Sequence, residues 1–577
     1  MWQGESPAAH LVVAGNLVKG VENVAEAGWV SFRKGRTKSV AGPTWPTVFP
    51  VPGAAGKTSR LGMGPLIDVG QPPYLGAFVR REPCNDVVSG AEQLTRRELF
   101  SRIQRYAAGF QQHGVSAGDR VCVHLSNTID NVAAMYGCIF AGACLVLAKT
   151  SLREGELRYQ LEDSDSTHVL SDVQFAEKVK KGLFTMGEAE GFVSAATFKN
   201  MNEAFFQEYP VGDPKNTLLA IIYTSGTTGL PKGVEFTHYG FVANHFTMKP
   251  CVAYDETDVT LLPAPITHGS GFLWTMMTVL DGVVCVLTAP RITLPEFADI
   301  VNKYQVTSAF FFTSFLHMLC QKMIHSGLQL PTIRRLGVGG GTLTQATYNS
   351  AFKAFRNLEC VVNMYGMTEA SGLVCSPTMS HARGIDIGYP ACMVEAKVVD
   401  MVSRKKLGPN QTGEICFRIP TVMRGYYKRP KETTEFFEGD GWCKSGDAGY
   451  YDEDGRFYFV QRIKEMIKCM DNQVVPAELE GLLLRMHSDD IMEVTVLGLE
   501  HAEYGEVPAA AIVAKKLGDK HGLSLLAEGI KKTIAENLAM HKHLYGGVFF
   551  FESLPKTETG KVSRSALAKL CASTTPL

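Results

Sequence analysis

The spacing of apolar residues predicts alternating helices and strands early in the chain. Thr95 and Glu98 form a capping-box pattern at a helix start. The apolar residues that follow share one helical face: Leu99, Ile103, Tyr106, Ala107 and Phe110. The largely apolar segment at 121–125 and the apolar run at 218–223 are typical of strands, and we expect the second to be buried and parallel. A helix followed by buried strands indicates an α/β layer.

A second helical pattern begins near residue 476 and indicates a separate part of the chain. Pro476 stands at a helix start, and apolar residues follow at helical spacing: Leu479, Leu482, Leu483 and Met486. A later amphipathic helix is marked by Ile530, Ile534 and Leu538. We therefore predict a large α/β domain over 76–462, in which helices flank parallel-rich sheets, and a small α+β domain over 463–577. The proline-rich residues 1–75 are expected to form an extended leader.

Length and charge agree with a multidomain protein that binds small molecules. A chain of 577 residues is too long for one hydrophobic core. Its 57 Lys and Arg residues are balanced by 58 Asp and Glu residues, so no overall field attracts nucleic acid. The 14 cysteines have no zinc-binding spacing, which favours reduced thiols. A monomer is the default expectation.

The sequence predicts neither secretion nor a membrane span. Glu5 stands where a secretory leader would be positive, and the apolar patch at 11–13 is short. The longest apolar stretch, 271–289, is interrupted by Asp281 and Gly282, so we predict a core helix followed by a strand. The final residues, 575–577, do not match the Ser-Lys-Leu peroxisomal address, which leaves the cytoplasm as the expected location.

The loop after the run at 218–223 carries the clearest candidate chemistry. Glycines allow backbone N–H groups to turn toward an anion, hydroxyl groups add donors, and a lysine adds positive charge. The candidate phosphate-binding residues are Thr224, Ser225, Gly226, Thr227, Thr228, Gly229 and Lys232. The loop is not a Walker motif, because Pro231 precedes Lys232 and Gly233 follows it.

Further motifs follow this loop along the chain. They are Thr267-His268-Gly269, Gly339-Gly340-Gly341, Tyr365-Gly366-Met367-Thr368-Glu369, Gly413-Glu414, Gly441-Trp442 through Ser445-Gly446-Asp447, Arg462-Ile463-Lys464, and Leu554-Pro555-Lys556 through Thr559-Gly560-Lys561. In this order the motifs resemble those of the adenylate-forming superfamily, in the branch of acyl-CoA synthetases, coumarate-CoA ligases and firefly luciferase. The resemblance covers about residues 90–570.

The resemblance implies a fold and a reaction. The fold would be a large N-terminal domain of several subdomains with a small, mobile C-terminal lid, hinged at Lys464. The reaction would be that of an AMP-forming acyl- or aryl-CoA ligase, which joins a carboxylic acid to coenzyme A through acyl-AMP. The chemistry is reasonable, because a carboxylate is a poor electrophile until its attack on ATP supplies a better leaving group. ATP and Mg²⁺ are the implied cofactors, with coenzyme A as co-substrate.

The resemblance also implies roles for individual residues. Lys561 would bridge the carboxylate and the α-phosphate, and His268, Thr368 and Glu369 complete the catalytic set. Glu369 would also bind Mg²⁺, and Asp447 would accept the ribose hydroxyls. The nucleotide and coenzyme A sites would use, besides the loop, Gly339, Gly340, Gly341, Asn363, Met364, Tyr365, Gly366, Asp447, Arg462, Lys464, Lys468 and Gln473.

Two regions bear on the identity of the substrates. The acyl pocket would be lined by residues 238–244, 268–274 and 339–341, and Trp274 favours aromatic or medium-chain acids over long ones. Met470 and Asp471 stand where relatives place a cation and a glycine in the loop associated with coenzyme A. This departure bears on thioester formation rather than on adenylation.

Three other functions remain open. A luciferase-like oxygenase is disfavoured by Asn244 and Ser270, which stand where the luciferin pocket has Arg and Phe, and a luminescence assay would test it. A stand-alone adenylation enzyme that charges a carrier protein would not consume free coenzyme A. A binding protein without catalysis is disfavoured by the joint presence of Lys561, Glu369 and Asp447.

Overall fold

The computed structural model describes residues 87–577 except 90–91, 180–183, 225–229, 256, 290–291, 383, 471, 502, 517–519 and 558–560. The leader predicted at 1–75 lies outside the described residues. So do Ser225, Gly226, Thr227, Thr228 and Gly229 of the phosphate loop.

Strands and helices alternate through most of the chain. The strands are β1 (Val87–Ser89), β2 (Glu92–Leu94), β3 (Arg120–His124), β4 (Cys144–Leu147), β5 (His168–Asp172), β6 (Phe184–Met186), β7 (Val193–Ser194), β8 (Leu218–Thr224), β9 (Lys232–Thr237), β10 (Val259–Leu262), β11 (Val284–Leu287), β12 (Ser308–Phe312), β13 (Arg335–Gly339), β14 (Cys360–Met367), β15 (Gly372–Ser376), β16 (Tyr389–Pro390), β17 (Glu395–Val399), β18 (Gly413–Arg418), β19 (Cys443–Tyr451), β20 (Phe457–Arg462), β21 (Ile467–Cys469), β22 (Asn472–Val474), β23 (Ile491–His501), β24 (Gly505–Ala514) and β25 (Val548–Phe550). The helices are α1 (Arg96–Gln112), α2 (Ile129–Phe140), α3 (Glu154–Asp163), α4 (Ala176–Val179), α5 (His238–Met248), α6 (Gly269–Asp281), α7 (Leu294–Tyr304), α8 (Thr313–Ser326), α9 (Gln345–Ala354), α10 (Pro430–Phe436), α11 (Pro476–Met486), α12 (Lys520–Asn537) and α13 (Arg564–Ala572).

The largest sheet brings several predicted motifs to one edge. Its nine strands run in the order β16-β15-β14-β13-β12-β10-β11-β1-β2, and the pairs from β14 to β1 are parallel. The register pairs Phe312 with Gly339 and Gly339 with Met364. The carboxyl ends of β12, β13 and β14 therefore lie side by side, at an edge where α/β proteins commonly bind ligands.

A second, seven-stranded sheet carries the phosphate loop. Its order is β7-β6-β5-β3-β4-β8-β9, with parallel pairs except for the antiparallel β8–β9 hairpin. Thr224 pairs with Lys232, so both ends of the loop are fixed at the end of this hairpin. One apolar core includes residues of both large sheets, and the Tyr136 hydroxyl of α2 donates to the Phe272 carbonyl of α6 at 2.6 Å.

Two smaller sheets follow. The antiparallel sheet β17-β18-β19-β20 carries Asp447 on β19 and Arg462 on β20. The last sheet, β22-β21-β24-β23 with β25 beside β24, has apolar cores made only from residues at 467–577. No helix in the described part of the chain combines the length and apolar character needed to cross a membrane.

The α/β fold class is confirmed, and local patterns account for several elements. Thr95 caps α1, with Glu98 completing the capping box. The run at 218–223 forms β8, which pairs in parallel with β4, and the stretch at 271–289 forms α6 and β11. The strand predicted at 121–125 is displaced by one residue, and α12 ends at Asn537, just before Leu538.

Candidate active site

Asp447, the candidate ribose acceptor, contacts two other residues that were predicted to bind the nucleotide, Tyr365 and Arg462. The Tyr365 hydroxyl donates to Asp447 Oδ2 at 2.6 Å, and Arg462 Nε lies 2.9 Å from Asp447 Oδ1. Asp447 has no solvent exposure. Its backbone N–H donates to Ser445 Oγ at 3.0 Å, which holds the turn before it. These three predicted residues, from three different strands, are therefore brought together.

Burial changes the acid–base chemistry of Asp447. Loss of solvation raises its pKa to about 6, although the Arg462 charge and the Tyr365 hydrogen bond both act to lower it. Among the described residues no group donates a hydrogen bond to Oδ1, despite its closeness to Arg462. A buried carboxylate oxygen with spare acceptor capacity suits a ligand hydroxyl.

Glu369 lies at the end of β14, within the turn Thr368–Ala370. The Tyr426 hydroxyl donates to Glu369 Oε1 at 2.8 Å. The described residues contain no group of three or more His, Cys, Asp or Glu side chains able to hold a metal ion. A single carboxylate nevertheless fits Mg²⁺, which keeps several waters and binds through one or two carboxylates and the phosphates of its substrate.

Lys561, from the C-terminal part of the chain, lies near the carboxyl ends of β12 and β13. Its loop is held by backbone hydrogen bonds from Thr557 N to Lys561 O at 2.7 Å and from Ser563 N to Pro555 O at 2.8 Å. A Cβ added to Gly340 would lie 3.7 Å from Lys561 Cε. Gly340 has a φ of +76°, and the same Cβ would lie 2.8 Å from Phe312, so glycine is required there.

The surroundings of Lys561 lower its pKa. The side chain keeps solvent access, yet partial desolvation by the surrounding protein is the largest cause, and repulsion by Arg462 adds to it. Asp447 and Glu465 act in the opposite direction. Lys561 and the Asp447 group therefore share one electrostatic environment.

His268 is a neutral residue at the start of α6. It caps this helix, because the Ser270 backbone N–H donates to His268 Nδ1 at 3.2 Å. Burial is the main cause that lowers its pKa to about 3, and the charges of Lys149 and Lys561 add to it. Since Nδ1 accepts a hydrogen bond, the neutral ring carries its proton on Nε2. The ring meets Phe312 edge-on, with 5.3 Å between centroids.

Aromatic side chains continue from His268 along the predicted acyl pocket. Phe312 lies 5.9 Å from Phe310, and Phe310 lies 5.0 Å from Trp274, between ring centroids. Asn244 of α5 is 1% exposed, and its carboxamide contacts Gly372. Within the described residues, neither Asn244 Nδ2 nor Oδ1 has a hydrogen-bond partner, and the same holds for Trp274 Nε1.

The remaining residues predicted to bind nucleotide or coenzyme A lie in or next to strands β13 and β14 or near the start of the C-terminal part of the chain. The Asn363 carboxamide donates to the Ile385 carbonyl at 2.8 Å, and Met364 packs toward Gly337. Lys464 lies in the short turn Ile463–Glu465. The backbone register of the β21–β22 hairpin places Lys468 opposite Gln473.

The hairpin turn between β21 and β22 has unusual geometry at Met470. Its φ is +51°, a left-handed conformation that glycine adopts more readily. Asp471, which we expected to replace a turn glycine, lies outside the described residues. At least one left-handed position of this turn is therefore occupied by a residue with a side chain.

Sequence reasoning missed Tyr426. It is one of two adjacent tyrosines, and the motifs did not distinguish it from its neighbour. The only local signal for this residue is a Gly-Tyr-Tyr sequence that follows the strand containing Gly413 and Glu414. Tyr426 is recognised as part of the site only through its contacts with Glu369 and Lys232, which are distant in sequence.

Comparison with known proteins gives the family. A model of the AMP-binding enzyme family matches residues 77–427, and a model of the AMP-binding enzyme C-terminal domain matches residues 478–561. The chain is 30% identical over 529 residues to probable 4-coumarate–CoA ligase 2 of Dictyostelium discoideum, covering 86% of this chain and 94% of the relative. It is also 30% identical over 542 residues to 4-coumarate–CoA ligase 3 of Arabidopsis thaliana, covering 89% and 95%.

Solved structures agree on the fold. The ATP-bound MatB of Rhodopseudomonas palustris superposes with a TM-score of 0.75 at 24% identity, covering 86% of this chain and 98% of that one. The identities of the sequence relatives and the extent of the family match then identify the chain. It is an enzyme of the AMP-binding, adenylate-forming family, in the group that contains the AMP-forming acid–thiol ligases.

Proposed function

We propose that this enzyme is an AMP-forming acyl- or aryl-CoA ligase. The observation that carries the proposal is the convergence of Lys561 with the Tyr365–Asp447–Arg462 group and Glu369 around one sheet edge. Such a site combines acceptors for a ribose, a carboxylate for a metal and a cation for a reacting phosphate. ATP as the nucleotide agrees with the family to which the chain belongs.

In the first half-reaction, a carboxylate oxygen of the acid attacks the α-phosphorus of ATP. The bond to the bridging oxygen breaks, and pyrophosphate leaves with its electron pair. Both reactants are anions, so fixed positive charges must offset their repulsion. Lys561 would stabilise charge at the α-phosphate, and Lys232 with the loop at 224–229 would hold the β- and γ-phosphates. A bound Mg²⁺ on Glu369 would supply further charge neutralisation.

In the second half-reaction, the coenzyme A thiol loses its proton to solvent and its sulfur bonds to the acyl carbon, while the bond from that carbon to the AMP oxygen breaks and AMP leaves with the electron pair. Burial lowers the pKa of His268 to about 3, so the ring is neutral near pH 7 and its Nε2 proton would be available to a substrate oxygen. We further propose that residues 463–577 act as a lid that pivots at Lys464 between the two half-reactions. The separate apolar cores beyond Ile467 support this division of the chain at about residue 462.

A panel of carboxylic acids scored by pyrophosphate release tests the first half-reaction. The same panel with free coenzyme A, scored by thiol consumption, tests the second. Pyrophosphate release without thiol consumption would favour the alternative of an enzyme that charges a carrier protein. A preference for long-chain fatty acids would overturn the short pocket inferred from Trp274.

The buried carboxamide of Asn244 predicts a polar group on the acid. A buried amide without a partner is costly, and a substrate hydroxyl would satisfy it. We expect kcat/KM for 4-hydroxycinnamic acid to exceed that for cinnamic acid by roughly 10-fold or more. Asn244→Leu should remove this preference and leave cinnamic acid nearly unaffected. Steady-state kinetics with both acids measures the effect, and an equal loss for the two acids would contradict it.

The β21–β22 turn predicts weak binding of coenzyme A. Met470 supplies no positive charge and Asp471 adds a negative one, where a ligand with several phosphates is expected to pass. Met470→Lys combined with Asp471→Gly should lower KM for coenzyme A several-fold, since an exposed charge pair contributes ~0.2–1 kcal/mol. The gain should shrink as salt increases, while pyrophosphate release without coenzyme A stays constant. An unchanged KM in the double variant would show that the charges of this turn do not determine the affinity for coenzyme A.

A further inference from the structure

The segment that contains Tyr426 is fixed beside the phosphate-loop hairpin. Glu235 N donates to Gly425 O at 2.9 Å, Arg424 N donates to Glu235 O at 3.1 Å, and Tyr427 N donates to Gly233 O at 2.7 Å. The residues at 424–427 thus run alongside β9, whose first residue is Lys232. The backbone of Tyr426 is held in register with the end of the phosphate loop.

The Tyr426 side chain contacts two residues predicted to bind the nucleotide and its metal. Its hydroxyl donates to Glu369 Oε1 at 2.8 Å, and Lys232 Nζ lies 5.1 Å from the centroid of its ring. Phe436 packs edge-on against the same ring, with 6.1 Å between centroids. A single half-buried aromatic side chain therefore touches a carboxylate and an ammonium group that arise from different sheets.

The hydroxyl of Tyr426 acts only as a donor toward Glu369. A carboxylate accepts from the tyrosine hydroxyl, so this hydrogen bond fixes the rotation of the Glu369 carboxylate group. With one oxygen engaged by the tyrosine, the second oxygen is the one that would bind a cation.

We propose that Tyr426 is a positioning residue that orients Glu369 for the metal and Lys232 for the phosphates. The hydroxyl sets the rotation of the carboxylate, and the ring supports the ammonium group through a cation–π contact. The two functions reside in different atoms of one side chain, so separate substitutions can remove them. This inference rests on the adenylation half of the proposed function.

The adjacent Tyr427 is a matched control. Its hydroxyl donates to Asp165 Oδ2 at 2.9 Å, and Lys428 Nζ lies 5.3 Å from its ring centroid. Tyr427 therefore makes the same two kinds of contact, but with an exposed carboxylate and lysine that have no predicted nucleotide role. Removing its hydroxyl tests for general effects of losing a tyrosine–carboxylate bond in this segment.

The experiment measures ATP binding by calorimetry with Mg²⁺ and with EDTA. In Tyr426→Phe, the gain in affinity on adding Mg²⁺ should fall roughly 10-fold, the size expected for one hydrogen bond to a charged group, while metal-free affinity stays at the wild-type level. Tyr426→Leu should lower metal-free affinity as well, because Lys232 loses its ring contact. Tyr427→Phe should match the wild type in both conditions.

Mg²⁺ titrations of pyrophosphate release give a second readout. Tyr426→Phe should need a higher Mg²⁺ concentration for half-maximal rate, and excess Mg²⁺ should restore the rate, which would not occur for a misfolded protein. Equal behaviour of Tyr426→Phe and Tyr427→Phe would overturn the inference, as would a loss of metal-free affinity in Tyr426→Phe. The binding measurement remains decisive even if no acid supports pyrophosphate release, an outcome that would count against the proposed function alone.

Discussion

Replacing Lys561 with alanine should reduce adenylation by roughly 10²–10³-fold, the range seen when one preorganised donor to a transition state is removed. The Lys561 side chain approaches Gly340 through its Cε atom, and Arg462 and Asp447 act on its charge. The charge it would stabilise develops only as the α-phosphorus is attacked. ATP affinity should therefore change little, and the loss should appear in kcat for pyrophosphate release.

Measuring thioester formation separately distinguishes a role of Lys561 in adenylation from a role in maintaining the fold. If the lid presents a different face during thioester formation, Lys561→Ala should still convert supplied acyl-AMP and coenzyme A at a rate close to that of the wild type. Lys556→Ala is a matched control, because Lys556 lies on the same loop and pairs with Glu493 at 2.7 Å. Comparable losses in both half-reactions, or a similar effect of Lys556→Ala, would refute this division of roles.

Local patterns predicted the elements that depend on nearby residues. The capping box at Thr95 and the apolar run that forms β8 are local signals, and both elements formed as expected. The resemblance to the adenylate-forming superfamily implied that Tyr365, Asp447 and Arg462 belong to one site. The structure brings these three side chains together although nearly a hundred residues separate Tyr365 from Arg462.

The features that sequence could not supply depend on tertiary contacts. The raised pKa of Asp447 comes from burial, which no single motif reports. The role inferred for Tyr426 depends on its contacts with Glu369 and Lys232, which are far from it in sequence. The left-handed conformation of Met470 was not expected, since methionine gives no turn signal and the hairpin around it imposes the geometry.

The raised pKa of Asp447 also predicts how stability depends on pH. Its carboxyl has a pKa of about 6 in the folded protein against an ordinary 3.8, so the folded state binds the proton more tightly. Between these values the folded state carries more protons than the unfolded state, and this group's contribution to stability falls as pH rises. Asp447→Asn should abolish that contribution, which thermal melts across this pH window would detect.

Asp447→Asn should also weaken binding of adenosine by roughly 10- to 100-fold, because hydrogen bonds to a charged group contribute about 1.5–3 kcal/mol each. Adenosine is the suitable probe, since it lacks phosphates that titrate near the same pH. In the wild type its affinity should fall below about pH 6, where the carboxylate is protonated and loses acceptor capacity. In Asp447→Asn the affinity should not depend on pH in this range.

Two further variants distinguish this role from general destabilisation. Tyr365→Phe removes a hydrogen bond that lowers the pKa of Asp447, so the pH midpoint of adenosine binding should move upward. Asp163 lies in a chemically similar group, 2.7 Å from the Tyr223 hydroxyl and 2.6 Å from Arg429 Nη2. Asp163→Asn should cost stability without changing adenosine affinity, because its group belongs to the phosphate-loop side of the protein. If Asp163→Asn and Asp447→Asn weaken adenosine binding equally, the effect is one of folding, and Asp447 is not the ribose acceptor.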